Sequence, residues 1–364
     1  MTVPEPATIP VSFSAPVLSS GEITTHAYTP QNELEWDTYV LGRADGSPFH
    51  QAAWKRAIEK TFGFRPLYVF AKRNDRITGI APVFLISNWM TGRCLISNPF
   101  AVYGGILADD QETESRLIAE LQGLGQEQRV QYLELRSRRS QSRPNFHRNS
   151  RYSTFTLPLC GDAIATYNAL PKDIRYMIRK AEKAGLRVRH GLEQFSSFYH
   201  LMTINLRRLG TPAFPQRWFK NLLEEFRGQV TLTVVYEGGT ALAAGLSFLF
   251  RDWMQPYYIG SLDAAKKVGA NNFLWWELIK LATERGCTRF DFGRSKNESG
   301  NFDFKKKWNP TIEPLEYQVR LFQRKDVPNF SPANPKFQMA TDLWKQMPLS
   351  LTRIVGPRVI RWFP

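Results

Sequence analysis

The densest chemistry in the chain lies between Tyr257 and Trp308. A strand ending at Ile259 runs into a loop holding Lys266, Lys267 and Gly269, and a helix opens near Asn271. Free amides at a helix start, aided by lysines, can hold a pyrophosphate; the same letters also describe an ordinary strand-to-helix loop. A strand over Arg289–Gly293 then sets Asp291 on the face opposite Phe290 and Phe292. Gly293-Arg294-Ser295-Lys296 turns off the end of that strand, where binding groups tend to lie. Last comes Phe302-Asp303-Phe304-Lys305-Lys306-Lys307-Trp308, three consecutive lysines between aromatics.

Two further stretches concentrate positive charge. Residues 136–151, from Arg136 to Arg151, carry six arginines and no acid, and residues 172–189 carry seven bases and two acids. The second stretch includes Arg175, Arg179, Lys180 and Lys183. Charge runs are usually solvated faces. Here the neighbouring acids are missing, and arginine forks suit phosphate or carboxylate, so an anion-binding surface is expected. The whole chain agrees, with 48 Lys+Arg against 33 Asp+Glu and a formal charge of +15. Such an excess implies nucleic acid, a phosphorylated substrate or an acidic membrane surface as partner. No phosphate-loop, dinucleotide, zinc-protease or serine-hydrolase motif occurs, and the five histidines share no motif. Cys94, Cys160 and Cys287 read as buried thiols in a reducing compartment, so neither a disulfide framework nor a metal site is expected.

The elements that must position these groups follow from length and periodicity. A chain of 364 residues, 43% hydrophobic and 22% charged, suits two globular domains. We expect a flexible Pro/Ser/Thr-rich leader over 1–33, domains over 34–160 and 161–330, and a basic amphipathic tail over 331–364. Each half reads as hairpin, strand, helix, strand. In the first, a helix over Gln51–Phe62 precedes strands Leu67–Ala71 and Ile77–Ile86, with Cys94–Ile96 and Val102–Leu107 adding to them. A helix over Glu112–Gln126 and a strand over Val130–Leu135 finish it. The second runs Thr231–Tyr236, Ala241–Phe250, Trp253–Ile259, a helix over Asn271–Arg285 and a strand over Thr288–Phe292. Tyr103-Gly104-Gly105-Ile106-Leu107 parallels Tyr258-Ile259-Gly260-Ser261-Leu262, and Tyr132–Ser137 parallels Phe290–Ser295, the signature of a tandem duplication. Between the halves, Pro171 and Gly185 bracket a helix over Pro171–Ala184, and a second helix spans Phe195–Leu209. No apolar run approaches the ~18 residues of a spanning helix, and residues 1–20 do not read as a signal peptide. A cytoplasmic protein is expected, with peripheral contact at the inner face of the membrane open to the tail.

The joint occurrence and order of several weak motifs is more specific. They are Asp173-Ile174-Arg175, Ile178-Arg179-Lys180-Ala181, Lys183 and Gly185; Leu209-Gly210-Thr211-Pro212; Asp291-Phe292-Gly293-Arg294-Ser295-Lys296; and Phe304-Lys305 with Trp308. Together with Tyr103-Gly104-Gly105 and Leu133-Glu134-Leu135-Arg136, this set resembles the Fem-type aminoacyltransferases of the GNAT superfamily. It is most similar to the branch associated with exosortase/PEP-CTERM and exopolysaccharide systems. The resemblance spans about residues 36–362. It implies an α/β fold of two GNAT-like domains in tandem, with largely antiparallel sheets flanked by helices. It also implies transfer of an acyl or aminoacyl group from acyl-CoA or aminoacyl-tRNA to an amine or hydroxyl of a cell-envelope or polysaccharide precursor, with no permanently bound cofactor. In that family a lysine in a Phe-Lys-x-x-Phe-like segment stabilises the oxyanion; Lys305 takes that position, with Trp308 in place of the last aromatic. Asp291 or Tyr258 is then the expected proton acceptor. Donor or substrate contacts fall to Arg136, Arg175, Arg179, Lys180, Lys183, Lys266, Gly269, Asn271, Arg294, Ser295, Lys296 and Trp308. The segment Lys266-Lys267-Val268-Gly269-Ala270-Asn271 is a degenerate form of the GNAT pyrophosphate loop. A non-catalytic RNA- or anion-binding scaffold is the alternative. For the tail, residues 337–364, the two readings are packing on the second domain or lying in an anionic lipid interface, with Pro348 and Pro357 excluding one long helix.

Overall fold

The computed structural model describes residues 21–138, 143–329 and 335–364. Its backbone is one twelve-stranded sheet shared by both halves of the chain, with a smaller four-stranded sheet beside it. The second half contributes, in spatial order, Arg187–His190, Val230–Glu237, Thr240–Phe250, Trp253–Ser261 and Arg289–Asp291. The first half contributes Tyr132–Leu135, Gly92–Ser97, Val83–Asn88 and Arg65–Pro66. Two long strands, His147–Pro158 and Thr311–Leu321, lie between them and join the two sets. The short strand Ser295–Lys296 also pairs with His147–Pro158. The smaller sheet holds Ile23–Ala27, Val69–Arg73, Arg76–Ala81 and Leu107–Ala108.

The tandem GNAT-like architecture is therefore present, and its repeat is explicit. In each half a strand, a helix and a second strand make a parallel crossover. Gly92–Ser97, Gln111–Glu127 and Tyr132–Leu135 form one; Trp253–Ser261, Ala270–Glu284 and Arg289–Asp291 form the other. The repeat is looser where Tyr103 was aligned with Tyr258. Tyr258 sits in the long strand Trp253–Ser261, whereas residues 98–106 form a loop and only Leu107–Ala108 is strand.

Local physics accounts for most elements. The helix Ala52–Phe62 buries Trp54, Ala57, Ile58 and Phe62 and stops at Gly63, whose φ of 67° suits glycine. The helix Lys172–Lys183 buries Ile174, Ile178 and Ala181 and leaves its charged side to solvent. The helix Ala270–Glu284 is buried along most of its length, so its apolar run is a core helix. Its start is pressed against the basic helix. A Cβ on Gly269 would lie 3.0 Å from Met177 O, and Gly269 has a φ of 76°.

Three expectations need correction. The leader over 1–33 contains order: Ile23–Ala27 is a strand paired with Val69–Arg73, favoured by β-branched Ile23, Thr24 and Thr25, while residues 1–20 lie outside the described residues. Of the three cysteines, Cys160 is exposed and only Cys94 and Cys287 are buried. In the tail, Pro348 caps the helix Leu349–Val359, but Pro357 lies inside that helix. Packing overrides its breaking tendency, since Gly356 abuts Ala213 and Ile360 is buried. The start of the expected tail, 331–334, is outside the described residues.

The tail packs on both halves. Arg353 donates to Thr203 at 3.1 Å, Arg361 to Phe62 O at 3.3 Å, and Arg136 to Pro364 O at 3.0 Å. Loop 98–106 is equally constrained: a Cβ on Gly105 would come within 2.6 Å of the Ser137 backbone. Gly105→Ala is expected to cost roughly 1–3 kcal/mol by overpacking, read as a lower denaturation midpoint. An unchanged midpoint would show that the loop does not press on Ser137.

Candidate functional site

The sheet breaks open where the second half's crossover ends. Trp253–Ser261 and Arg289–Asp291 are parallel neighbours at only two positions, Trp253 with Arg289 and Met254 with Phe290. Beyond these the two strands diverge, and both carboxyl ends face the same edge, where ligands tend to bind in α/β sheets. The Asp263–Gly269 loop follows one strand and Gly293–Lys296 follows the other. Gln255 lies just past the last paired position. It is fully buried, and neither amide atom has a hydrogen-bonding partner among the described residues. Ser247 Oγ, on the adjacent strand, is buried and unpartnered as well. Gly293 stands beside Gln255, its Cβ position 3.5 Å from Gln255 Nε2, whereas Ser247 pairs with Pro256 and so faces the other side of the sheet. Buried polar groups are normally satisfied, so Gln255 marks a place suited to a polar ligand.

Asp291 closes the floor of this region at 2% exposure. Its Oδ1 accepts the Gly293 amide at 2.7 Å, and its Oδ2 accepts the Tyr103 hydroxyl at 3.0 Å. Thr154 hydrogen-bonds the same phenol, and Arg138 Nη1 lies 3.7 Å from Oδ2. The guanidinium of Arg138 also covers the Tyr103 ring at 5.1 Å and donates to Thr156 at 3.1 Å. Burial, then the Asp291 charge, pushes ionisation of Tyr103 well above the ordinary phenol range.

Lys305 is the buried cation of the site. It is held by the short helix Gly300–Lys306, whose start is capped by Ser299. Its ammonium donates to Gly293 O at 3.0 Å and Arg294 O at 2.9 Å and lies 5.5 Å from the Phe155 ring centre. Burial pushes its pKa down to about 7; the Asp291 carboxylate opposes that and Arg294 adds to it. Among the three lysines of the run, Lys306 and Lys307 are exposed and Lys305 alone turns inward.

Arg294 and Arg136 form a second group above Tyr317. Arg294 lies over Tyr152 at 4.7 Å and Tyr317 at 5.6 Å and donates to the Tyr317 hydroxyl at 2.7 Å. That hydroxyl in turn donates to Val102 O at 2.8 Å. Arg136 pairs with Glu134 at 2.7 Å, 5.9 Å from the Tyr317 ring centre.

The structure thus brings Asp291, Lys305, Arg294 and Arg136 into one neighbourhood and separates the others. Tyr258 is elsewhere, in an aromatic core with Phe214 and Phe219, where its hydroxyl accepts Trp218 Nε1 at 2.8 Å. Burial pushes its ionisation well up, so it is a packing residue and Tyr103 is the phenol beside Asp291. Trp308 is fully buried against Phe292 and Phe304, and its indole Nε1 has no hydrogen-bonding partner among the described residues. Ser295 is buried with its hydroxyl unpartnered, and Lys296 is exposed on the same short strand. Lys266 is exposed and faces Asp263 at 3.6 Å; Asn271 lies in the first turn of the following helix. Gly269 is explained by its contact with Met177.

The two basic stretches do not form one surface. Three arginines of the first meet acids remote in sequence, Arg138 with Glu313, Arg143 with Glu114 and Arg148 with Glu316, and Arg136 meets Glu134 just ahead of the stretch. Arg139 lies outside the described residues. The helix Lys172–Lys183 behaves otherwise. Arg179, Lys180 and Lys183 are exposed with no ion pair among the described residues, and Arg175 is half-buried with an unpartnered Nε. This helix packs beside Gly269 through Met177 and Ala181. Sequence reasoning missed Tyr103 and Arg138 as site residues, and missed Thr154, Tyr152 and Tyr317. Tyr103-Gly104-Gly105 was the one visible signal.

Lys305 sheds its proton near pH 7 in the folded chain, against an ordinary value of 10.5. The unfolded chain therefore binds more protons across that window, and stability gains as pH rises from about 7 toward 10.5. Wild type should gain stability over Lys305→Met between those limits in urea melts at several pH values. A pH-independent difference would place an ordinary, solvated amine there.

Among the described residues no cluster of His, Cys, Asp and Glu is arranged to hold a metal ion. Residues 169–306 match the model of the acetyltransferase (GNAT) domain. The chain is similar to the crystal structure of FemX, with a TM-score of 0.64 and 13% identity over 87% of this chain and 100% of that one. It is also similar to the C-terminal domain of a putative lysylphosphatidylglycerol synthetase from Agrobacterium fabrum (TM-score 0.54, 13% identity, 81% and 93% covered). A tandem GNAT protein from the clavulanic acid biosynthesis pathway gives a TM-score of 0.52 at 10% identity, covering 84% and 100%. A comparison with curated proteins finds no match. At these identities the likeness is one of fold: a mixed α/β tandem GNAT architecture, with the acetyltransferase-type domain in the second half.

Proposed function

We propose that the protein transfers an acyl or aminoacyl group from an activated donor, acyl-CoA or aminoacyl-tRNA, to an amine or hydroxyl. The observation that carries this reading is Lys305, a buried amine titrating near 7 whose two backbone bonds fix it beside the diverging strands. Attack of the nucleophile on the donor carbonyl makes a tetrahedral oxyanion, and the remaining N–H of Lys305 in its charged form stabilises it. Collapse breaks the bond to the donor's thiol or ribose oxygen, which leaves with a proton. Asp291 is bonded at both oxygens, so it acts with Tyr103: the phenol takes the nucleophile's proton as it passes its own to the carboxylate. Gln255 supplies a polar partner for a donor arm rich in amides or for an aminoacyl amine. The free cations of Arg179, Lys180 and Lys183 and the lysines of the adjoining loop receive the donor's phosphates. The acceptor class that the motif resemblance favours is a cell-envelope or exopolysaccharide precursor of the PEP-CTERM-associated kind.

Parallel titrations with acetyl-CoA and with aminoacyl-tRNA, followed by donor consumption, test the reading; consumption of neither leaves only a binding protein. With the consumed donor, Lys305→Met should lower turnover by roughly two orders of magnitude while donor affinity is nearly kept. Turnover should also fall as pH rises through about 7, because the charged form is the active one. Turnover that instead rises through that pH would make Lys305 a base and remove the oxyanion role. Neutralising Arg179, Lys180 and Lys183 together should weaken donor binding and flatten its salt dependence. Affinity unchanged at every salt concentration would leave that helix as a solvated face.

A further inference from the structure

Away from this site, the tail and the edge of the first half enclose a cleft of about 1020 Å³. Its lining includes Arg65, Arg217, Arg358 and Arg361, and no carboxylate. None of the four makes an ion pair with a described residue; Arg358 and Arg361 reach only backbone carbonyls, at 3.4 and 3.3 Å. Arginines elsewhere, such as Arg43, Arg56, Arg148, Arg208 and Arg289, face a carboxylate; unpaired arginines also occur on the exposed helix Lys172–Lys183, but here four converge on one cavity. Four unpaired guanidinium groups around one concavity leave an uncompensated field that favours a phosphate.

The rim is apolar. Trp89 is 72% exposed and meets Trp362 edge-on at 5.2 Å, and Ile354 is 62% exposed. Ile354, Arg358, Arg361 and Trp362 recur at helical spacing, which sets apolar and cationic groups along one face of the last helix. Exposed indoles suit the boundary between headgroups and acyl chains, and cations beside them suit anionic headgroups. A polynucleotide would call for an extended basic track; here the cations are confined to one cleft with aliphatic neighbours. We infer that this cleft binds the phosphate of an anionic phospholipid and seats the last helix on a bilayer surface, with Trp89, Trp362 and Ile354 at the acyl boundary. The site is separate from the acyl-transfer reading and does not rest on it. It also refines the choice posed for the tail, which packs on the protein with one face and offers another.

Deleting the tail would remove its contacts with both halves, so point variants of the full chain are the test. Co-sedimentation with phosphatidylcholine vesicles, with and without phosphatidylglycerol, should show binding only to the anionic ones, weakened by salt. Arg358→Gln with Arg361→Gln should lower that binding roughly 20- to 30-fold, taking about fivefold per arginine at the surface. Trp89→Ser should lower it without changing charge. Unaltered thermal midpoints establish that the variants are folded. Binding that is absent, equal on neutral vesicles or untouched in the double variant would overturn the inference. So would retention of an RNA duplex that the same variants lose, with no vesicle binding.

Discussion

A carboxylate buried at 2% exposure must be surrounded by donors, and the partners of Asp291 come from separated parts of the chain. Tyr103 and Arg138 belong to the first half, Thr154, whose hydroxyl donates to Oδ1 at 3.5 Å, to the joining strand, and the Gly293 amide to the turn after Asp291 itself. Satisfying this one charge therefore fixes the relation of the halves at the point where the sheet opens. The same turn offers the carbonyls of Gly293 and Arg294 to Lys305. One buried acid thus sets the loop from which a buried amine is hung, and its charge keeps that amine's pKa from falling further.

The long strands His147–Pro158 and Thr311–Leu321 carry this arrangement mechanically. Each pairs on both sides, so the site lies in the interior of a continuous sheet and not in a groove between loosely docked domains. Tyr317 extends the tie by bonding Arg294 on one side and Val102 O on the other. Paired strands and these hydrogen bonds give the turn after Asp291 a preorganised setting. A reaction whose driving force resides in an activated donor requires little more than such alignment.

Much of the frame was legible from local pattern. Gly63, Gly185 and Gly286 end helices as their positions predict, and both hairpins follow their polar turns. His147–Pro158 was not legible, because His147-Arg148-Asn149-Ser150-Arg151 reads as loop; pairing with Thr311–Leu321, not propensity, makes it a strand. Arg138, Arg143 and Arg148 misled for the same reason in electrostatics: their acids lie at 313, 114 and 316, invisible to a window along the chain. The motif singled out Lys305 and alternation set Asp291 apart from Phe290 and Phe292, and both lie buried around the same turn. Tyr258 was misassigned because alternation cannot say which face of a strand meets the site and which meets the aromatic core.

Hydrogen exchange of the full chain, with and without saturating acetyl-CoA or aminoacyl-tRNA, addresses the central claim directly. The account predicts that the donor slows exchange at residues 255–261, at 293–296 and in the first turn of the helix Ala270–Glu284. Saturable donor binding that protects amides elsewhere, and leaves both diverging strands unchanged, would contradict it.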